Sequence, residues 1–516
     1  MKKKSLIPVM LLTSIMALTG CGGEGGQEGS EQSSAAPTSE NSTASSADNS
    51  NSGSGATKVG HFDHKVTIKF VQSYSQAYQA KLQAFVDSFK LVEPNVEIKL
   101  EDGWVSGNYD TIHSQTISDI QTGEYGDLVI AYPDHVVDYI DFGKAVRLDT
   151  DFLMNNAEYG WSQADKEDIV PAYLHEGEEF PIPGTYCLPF SKSTEAMFYN
   201  QTRLFDSELV SFLATKGIQM NKSYIENLTW EELFGKLCPA FAEYDAAHPT
   251  APLITSKEGN MNSYVGYDSD ANLFITLSQQ YGYGYTSVDE YGEAHLDYNN
   301  NNMKTLMKTF ANASKNGYLR SPGVIGKSYS SNYFKENNVL FSIGSTAGVK
   351  NQVADTFDVG VARIPQAQGK NAKIISQGPS VCILNHNNDT DRQLAAWLFY
   401  KHMTSTKNTA SWAIEVGYLP VRASAYTSEA YSDYCSTEGK DARSTELLTA
   451  LNAVYSSSTV DSVFTTPPFK GSSSARTEVN SLMVNLLKDA ADGKTIDDTY
   501  LNEKFELAIN NTKKDM

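Results

Sequence analysis

The chain has 516 residues, of which 40% are hydrophobic, and carries a formal net charge of -21 at pH 7. This length allows about two to four domains, and the hydrophobic fraction is sufficient for cores of considerable size. The acidic balance argues against a nucleic-acid-binding protein, because such proteins need a basic surface.

The N-terminus has the organisation of an export signal. Met1–Lys4 contain three lysines, Ser5–Thr19 form an apolar stretch, and Gly20-Cys21 follow. This pattern predicts a signal peptide over residues 1–20, since the apolar stretch is too short to span a membrane. Leu18-Thr19-Gly20-Cys21 resembles a bacterial lipobox, which implies cleavage before Cys21 and acylation of that residue by groups such as diacylglycerol and palmitate. Two acyl chains on Cys21 would give a stable membrane anchor. The alternative is a secreted chain in which Cys21 is incidental.

A polar tract follows, and we predict that residues 21–60 comprise the lipidated cysteine and a disordered tether. The tract is rich in Gly, Ser, Glu, Asn and Thr, so it cannot bury enough apolar surface to fold. A flexible tether of this length has an end-to-end distance of ~35 Å. His61 and His64 suggest a metal pair, but we interpret them as the start of the folded domain.

The next elements alternate between strands and helices. Val66–Val71 and Val96–Leu100 are β-branched stretches that predict strands, and Tyr78–Leu91 between them has helical periodicity. A helix led by Gly107-Asn108-Tyr109-Asp110 precedes a third predicted strand, Asp127–Ala131. This order is typical of the βαβ opening of a doubly wound sheet.

The third strand runs directly into Tyr132-Pro133-Asp134. The carboxyl ends of strands in open α/β sheets face the ligand crevice. We therefore expect Tyr132 and Asp134 to contact a ligand, although a turn with a helix cap is an equally valid interpretation.

Later segments supply further candidate elements. Leu188–Asn200 predicts a single strand that begins in a polar loop, and Ala372–Leu384 predicts a strand that returns to the first half of the chain. Asp268, Asp270 and Asn272 have the alternate spacing of a calcium loop, but Leu273 and Gln279 stand where an EF-hand needs Gly and Glu, so we predict a helix start instead. Gly344-Ser345-Thr346 ends a predicted strand and offers backbone N–H groups to an anion or polyol.

The cysteines after Cys21 show no spacing typical of a zinc or redox site. An exported chain would allow three pairings among the four. We expect free, mostly buried thiols at Cys187, Cys238, Cys382 and Cys435.

Several motifs in order resemble those of the bacterial extracellular solute-binding proteins, family 1, which serve ABC importers. They are Leu188–Asn200 with its closing Tyr-Asn, Thr229-Trp230-Glu231-Glu232-Leu233, Val359-Gly360-Val361 with Pro365, the helix around Trp412, and Gly417–Val421. The resemblance implies an α/β, two-lobe periplasmic-binding-protein-like fold of type II, with a doubly wound sheet in each lobe and crossing hinge segments. It implies residues 61–188 plus 376–416 for lobe 1 and residues 189–375 plus 417–516 for lobe 2. The insertion around residues 245–291 has no assignment.

Within the family, the chain looks most similar to the glycerol-3-phosphate-binding and sugar-binding branch. The resemblance implies that Arg476 binds phosphate, that Asp134 accepts from hydroxyls, and that aromatic and small residues complete the site. Departures lie at Asp134, which is shorter than the family's Glu, and at Lys192 and Pro379. Alternatives are a surface ion pair for Arg476, core packing for Tyr418 and a helix cap for Ser345. The full set of expected ligand contacts is Tyr109, Tyr132, Asp134, Ser193, Ser345, Gly378, Tyr418 and Arg476.

The functional prediction is a lipid-anchored substrate-binding protein on the extracellular face of the cell membrane. It would capture a sugar, oligosaccharide or glycerophosphate by hinge closure and dock, as a monomer, on the permease subunits of an ABC importer. We expect no catalysis, cofactor, metal or nucleic-acid partner. The alternatives are an exported carbohydrate-active enzyme of the glycosidase type, for which no catalytic motif was found, and a surface adhesin.

Overall fold

The computed structural model describes residues 59–102, 109–254, 263–325, 329–436 and 462–516. These residues belong to one compact unit that runs from Lys58 to Met516. The predicted signal peptide, Cys21, all but the last two residues of the predicted tether, the Gly107-Asn108 pair and residues 255–262 of the insertion lie outside the described residues. No helix within the described ranges is long and apolar enough to cross a membrane.

The secondary structure alternates strands and helices along most of the described chain. In chain order the strands are β1 (Val66–Gln72), β2 (Val96–Asp102), β3 (Leu128–Ala131), β4 (Leu188–Pro189), β5 (Glu195–Asn200), β6 (Val265–Tyr267), β7 (Thr286–Val288), β8 (Ala294–Leu296), β9 (Leu319–Arg320), β10 (Phe341–Ser345), β11 (Val359–Arg363), β12 (Ile374–Ile375), β13 (Ser380–Ile383) and β14 (Val463–Phe464). The α-helices are α1 (Gln76–Val92), α2 (Tyr109–Thr122), α3 (Pro133–Asp141), α4 (Gln163–Asp168), α5 (Pro171–Glu176), α6 (Gln201–Leu204), α7 (Ser207–Thr215), α8 (Lys222–Glu226), α9 (Trp230–Glu232), α10 (Cys238–Ala247), α11 (Asp270–Tyr281), α12 (Asn301–Lys315), α13 (Pro322–Ile325), α14 (Ser330–Lys335), α15 (Thr390–Met403), α16 (Thr406–Val416), α17 (Ala423–Tyr426), α18 (Glu429–Ser436), α19 (Ser472–Ala491) and α20 (Asp498–Thr512). A π-helical segment spans Leu233–Leu237, and a 3-10 segment spans Thr346–Gln352.

The first sheet has the strand order β2-β1-β3-β13-β4. β1 runs parallel to β2 and β3, and β13 runs antiparallel to β3 and β4. Alternate residues of β1 are buried, as expected for a strand with one face on a core. The predicted βαβ opening is confirmed, because β1, α1 and β2 follow one another in the chain and β1 pairs in parallel with β2 and β3. Phe70 of β1 packs against the aromatic rings of Phe399 and Phe190 in one core.

The second sheet has the order β11-β5-β10-β6-β9. β5 lies between two antiparallel partners, β10 and β11, and all six of its residues are buried. A separate and larger core packs the helices α10, α11, α12, α19 and α20 around this sheet, with Trp230 among its fully buried side chains. Helices α19 and α20 close the chain and pack on this core.

Crossing segments, among them residues 190–194 and 376–379, join the two halves of the fold. The predicted single strand Leu188–Asn200 is wrong in one respect, because β4 and β5 are separated by residues 190–194. Here Ser193 pairs with Gln377 and Lys192 pairs with Leu419, so the polar segment bonds to other crossing segments and extends neither sheet. The predicted return strand is likewise divided into β12 and β13, with residues 376–379 between them.

The exact lobe boundaries stay a prediction. The fold class is confirmed: the described residues form two α/β halves, each with its own five-stranded sheet and core.

The expectation of free, buried thiols holds at Cys187, Cys238 and Cys382, whereas the side chain of Cys435 lies outside the described part of the chain.

Candidate functional site

A cavity of about 660 Å³ lies beside the crossing segments and is lined from both halves. Its size is within the range typical of small-molecule sites. Among its lining residues are all eight sequence-predicted ligand contacts: Tyr109, Tyr132, Asp134, Ser193, Ser345, Gly378, Tyr418 and Arg476. The structure therefore brings together residues that are up to several hundred positions apart in sequence, while their part in binding stays a prediction.

Three tyrosines form an aromatic wall on the side of the first sheet. The hydroxyls of Tyr109 and Tyr418 lie 3.1 Å apart, and the Tyr109 ring meets the Tyr132 ring edge-on, with centroids 5.1 Å apart. Burial is the main cause that raises the pKa of all three phenols. They therefore remain neutral near pH 7 and can both donate and accept hydrogen bonds.

The carboxylates of Asp110 and Asp134 lie near this wall, in the first turns of α2 and α3. Asp134 is in the first turn of α3, which starts with Pro133, and Tyr132 takes the N-cap position without a side-chain cap bond. Asp110 lies 3.3 Å from His135 Nε2, and this hydrogen bond is the largest cause that lowers the pKa of Asp110. The first half thus supplies acceptors for hydroxyl groups or a cation.

The crossing segments contribute small polar groups. Ser345 Oγ donates to Ser193 Oγ at 3.3 Å and also accepts from the Ala347 N–H at the start of the 3-10 segment. The helix-cap interpretation of Ser345 is therefore confirmed, together with its position at the cavity. Gly378 has φ +87°, and a Cβ there would lie 2.0 Å from the Ser191 carbonyl oxygen, so this position requires glycine.

A buried ion pair between Lys192 and Glu176 stabilises the crossing segments. Lys192 Nζ donates to Glu176 and, at 2.9 Å, to the Gly378 carbonyl oxygen. Burial raises the pKa of Glu176 more than the Lys192 ammonium lowers it. Lys192, which departs from the family pattern, therefore holds the crossing segment that carries Gly378 against α5.

Arg476 lies on the opposite wall, in the first turns of α19. Its Nη2 donates to Asn272 Oδ1, and Asn272 Nδ2 donates to Glu195 Oε1 at 3.1 Å. Its described partner is thus an amide at the cavity, not the surface carboxylate of the alternative interpretation. Asn272 is in the first turn of α11, which Ser269 caps, so the predicted helix start is confirmed.

Sequence reasoning missed several residues of the cavity. Asp110 stood inside a quoted motif, and Asn272 stood inside the rejected calcium loop, so both had a local signal. His135 had one too, because it directly follows Tyr132-Pro133-Asp134, whereas Glu176 had none, because its place in the cavity depends on tertiary packing. The missed residues with hydroxyl, amide or ionisable groups include Asp110, His135, Glu176, Ser269, Asn272, Thr465, Thr466, Ser473, Thr477 and Asn480.

Within the described ranges, no group of three or more His, Cys, Asp or Glu side chains is placed to hold a metal ion. The available chemistry is that of one guanidinium, several hydroxyls, aromatic faces and carboxylates, which suits recognition of a polar organic molecule.

Comparison with solved structures identifies relatives of the fold. UgpB from Mycobacterium tuberculosis, in complex with glycerophosphocholine, is 18% identical with a TM-score of 0.62 over 87% of this chain and 98% of that chain. The GacH receptor of Streptomyces glaucescens, solved unliganded and with acarbose, is 16% identical with a TM-score of 0.61 over 88% and 98%. The sugar-binding protein MalE from Xanthomonas citri is 13% identical with a TM-score of 0.63 over 87% and 98%. At these identities the likeness shows a common two-lobe fold and no common ligand.

Comparison with curated protein sequences finds no match. A family model described as bacterial extracellular solute-binding protein matches residues 84–437, which is more than half of the chain. The match includes the whole second sheet, four of the five strands of the first sheet and most residues of the cavity, whereas β1 and Arg476 lie outside it. The chain therefore belongs to the bacterial extracellular solute-binding proteins.

Proposed function

We propose that this protein captures a small solute with a phosphate or several hydroxyl groups and delivers it to the permease of an ABC importer. The observation that carries the proposal is the cavity at the crossing segments, where Arg476 faces a wall of tyrosines and carboxylates. The protein would act as a monomer without cofactor, held at the extracellular face of the membrane by lipid on Cys21.

The wall of the second half has the chemistry of an anion site. Arg476 offers a planar, forked set of N–H donors that suits phosphate. The first turns of α11 and α19 line the cavity through Asn272 and Ser473, and helix N-termini favour negative charge. These local donors can bind an anion although the whole chain carries a net charge of -21.

The wall of the first half suits the uncharged part of the solute. Tyr109, Tyr132 and Tyr418 present rings and phenols, and Asp134 offers carboxylate acceptors. Aromatic faces with nearby polar tips are well suited to polyhydroxylated ligands. The glycerophosphocholine of UgpB and the acarbose of GacH both combine hydroxyls with an organic frame, which supports this solute class.

Hinge closure is the motion that would complete the site. The crossing segments are short and hydrogen-bonded to one another. The Ser193 N–H donates to the Gln377 carbonyl and the Gln377 N–H donates to the Ser193 carbonyl, both at 2.9 Å. A few such residues can absorb the rotation of two rigid halves. The closed form would then be the one that docks on the permease.

The proposal is tested by thermal shift of the domain from Lys58 onward. We expect stabilisation by glycerol-3-phosphate, a glycerophosphodiester or a sugar; a solute at a hundredfold its Kd stabilises by ~2.7 kcal/mol. Arg476→Ala should lose the response to phosphate compounds. Lys488→Ala, a matched control, should retain it, because that lysine is on the same helix but pairs with Asp492 at the surface.

Three other outcomes would correct or contradict the proposal. A response to sugars alone would remove the phosphate role of Arg476 and leave solute capture in place. Hydrolysis of a solute by the purified domain, or no response to any member of the panel, would contradict the binding-protein function itself.

A further inference from the structure

We propose that Glu195 is a positioning residue for Arg476, acting through Asn272, and that its protonation state sets the affinity of the cavity for anions. This inference rests on the proposed function, because it concerns the same cavity. Glu195 does not line the cavity and was not among the sequence-predicted contacts.

The Glu195 carboxylate is fixed on both oxygens. It is the first residue of β5, directly after the crossing segment, and is only 3% exposed. Asn272 Nδ2 donates to Oε1 at 3.1 Å, and the Tyr267 hydroxyl donates to Oε2. A buried carboxylate with two such donors has one well-defined orientation.

That carboxylate in turn determines the orientation of the Asn272 amide. Because Nδ2 donates to Glu195, Oδ1 points to Arg476 and accepts from Nη2. An amide rotated by half a turn would place its NH₂ group against the guanidinium, where neither group can accept a hydrogen bond. Glu195 thus holds one edge of the Arg476 fork through Asn272, and the remaining Arg476 N–H groups have no hydrogen-bond partner among the described residues.

Burial, together with the neighbouring groups, places the pKa of Glu195 close to neutral pH. Burial raises its pKa to about 7, and the nearby Asp268 carboxylate raises it too, whereas Tyr267, Asn272 and Arg476 lower it. Those groups belong to β6, α11, α19 and the loop before α11. When Glu195 loses its proton, its negative charge opposes an anion at Arg476; binding of an anion therefore favours the protonated form.

Calorimetry with a phosphodiester tests this inference, since a phosphodiester keeps the same charge throughout the range. With glycerophosphocholine as the probe, we expect affinity to fall about three- to tenfold between about pH 6 and about pH 8, as expected for two charges separated by one side chain. Repeating the titration in buffers of different ionisation enthalpy should show proton uptake on binding. Glu195→Gln should abolish both effects.

Two further variants separate this role from a merely structural one. Asp270→Asn is the control. Asp270, in α11, is another buried carboxylate, and its pKa is raised to about 6, but its side chain accepts a hydrogen bond from Ser321. The pH dependence should persist in this variant. Tyr267→Phe removes one donor to Glu195 and should move the midpoint of the pH dependence to higher pH, which also covers the case in which Glu195→Gln fails to fold.

The possible results are distinguishable. Binding that is independent of pH, or a pH dependence that survives Glu195→Gln or stays unmoved in Tyr267→Phe, overturns the inference and leaves the proposed function in place. Absence of binding of glycerophosphocholine, sulfate and glycerol-3-phosphate at every pH overturns anion capture, and the inference with it.

Discussion

Replacing Lys192 by methionine should strongly destabilise the protein. The Lys192 side chain is fully buried and the Glu176 side chain is 8% exposed, so the substitution leaves a buried carboxylate without its cation. Breaking such a buried pair from one side typically costs about 3–5 kcal/mol. The Gly378 carbonyl also loses a 2.9 Å donor, which belongs to the same loss.

The penalty should depend on pH in a defined direction. Burial already raises the pKa of Glu176, and loss of the Lys192 ammonium raises it further. A folded-state pKa above the unfolded value means stability that is present at low pH and lost as pH rises through the folded pKa. The variant should therefore be closer to wild type at about pH 5 than at about pH 8.

Urea unfolding of three variants measures this effect. Lys192→Met should lower the free energy of unfolding by several kcal/mol, and the double variant with Glu176→Gln should regain at least half of the loss, since the buried charge is gone. Lys216→Met is the matched control, because Lys216 pairs with Glu243 at the surface and should cost less than about 1 kcal/mol. Equal costs for Lys192→Met and the control, or no recovery in the double variant, would refute this account of the crossing segment.

Three other outcomes are expected. Tyr418→Ala should weaken solute binding by about 1–3 kcal/mol in calorimetry, because it removes a ring and the partner of the Tyr109 hydroxyl, and an unchanged Kd would remove Tyr418 from the site. Gly378→Ala should lower the unfolding free energy by more than about 1 kcal/mol, given its φ of +87° and the contact with Ser191, and wild-type stability would show that this turn relaxes freely. Cys21→Ser should release the protein from the membrane fraction into the medium, as followed by immunoblot, whereas retention on the membrane would contradict lipid anchoring.

Hydrophobic spacing and strand order in the sequence predicted individual helices and strands and the residues at one strand end. The spacing of Leu82, Phe85 and Phe89 indicates the buried face of α1, and all three are indeed in the first core. Tyr132 and Asp134 reach the cavity because the end of a central strand of the first sheet is at the ligand crevice, a rule of topology that needs no knowledge of the partner lobe.

Tertiary pairing accounts for most of what was missed. Nothing near Lys192 in sequence shows that its backbone pairs with Leu419, so an apolar run with a polar start was predicted as one strand. Glu176 and Asn272 similarly gain their roles from partners that are many residues distant, Lys192 and Arg476. Hydrophobic periodicity reports which face of an element is buried but not which element covers it.

A crystal structure of the domain with the solute that stabilises it most would test the central claim directly. The account predicts closed halves with the solute in the cavity, its anionic oxygens within hydrogen-bond distance of the Arg476 guanidinium and its hydroxyls near Asp134 and the tyrosine wall. A solute bound outside this cavity, or bound within it without contact to either wall, would contradict the account.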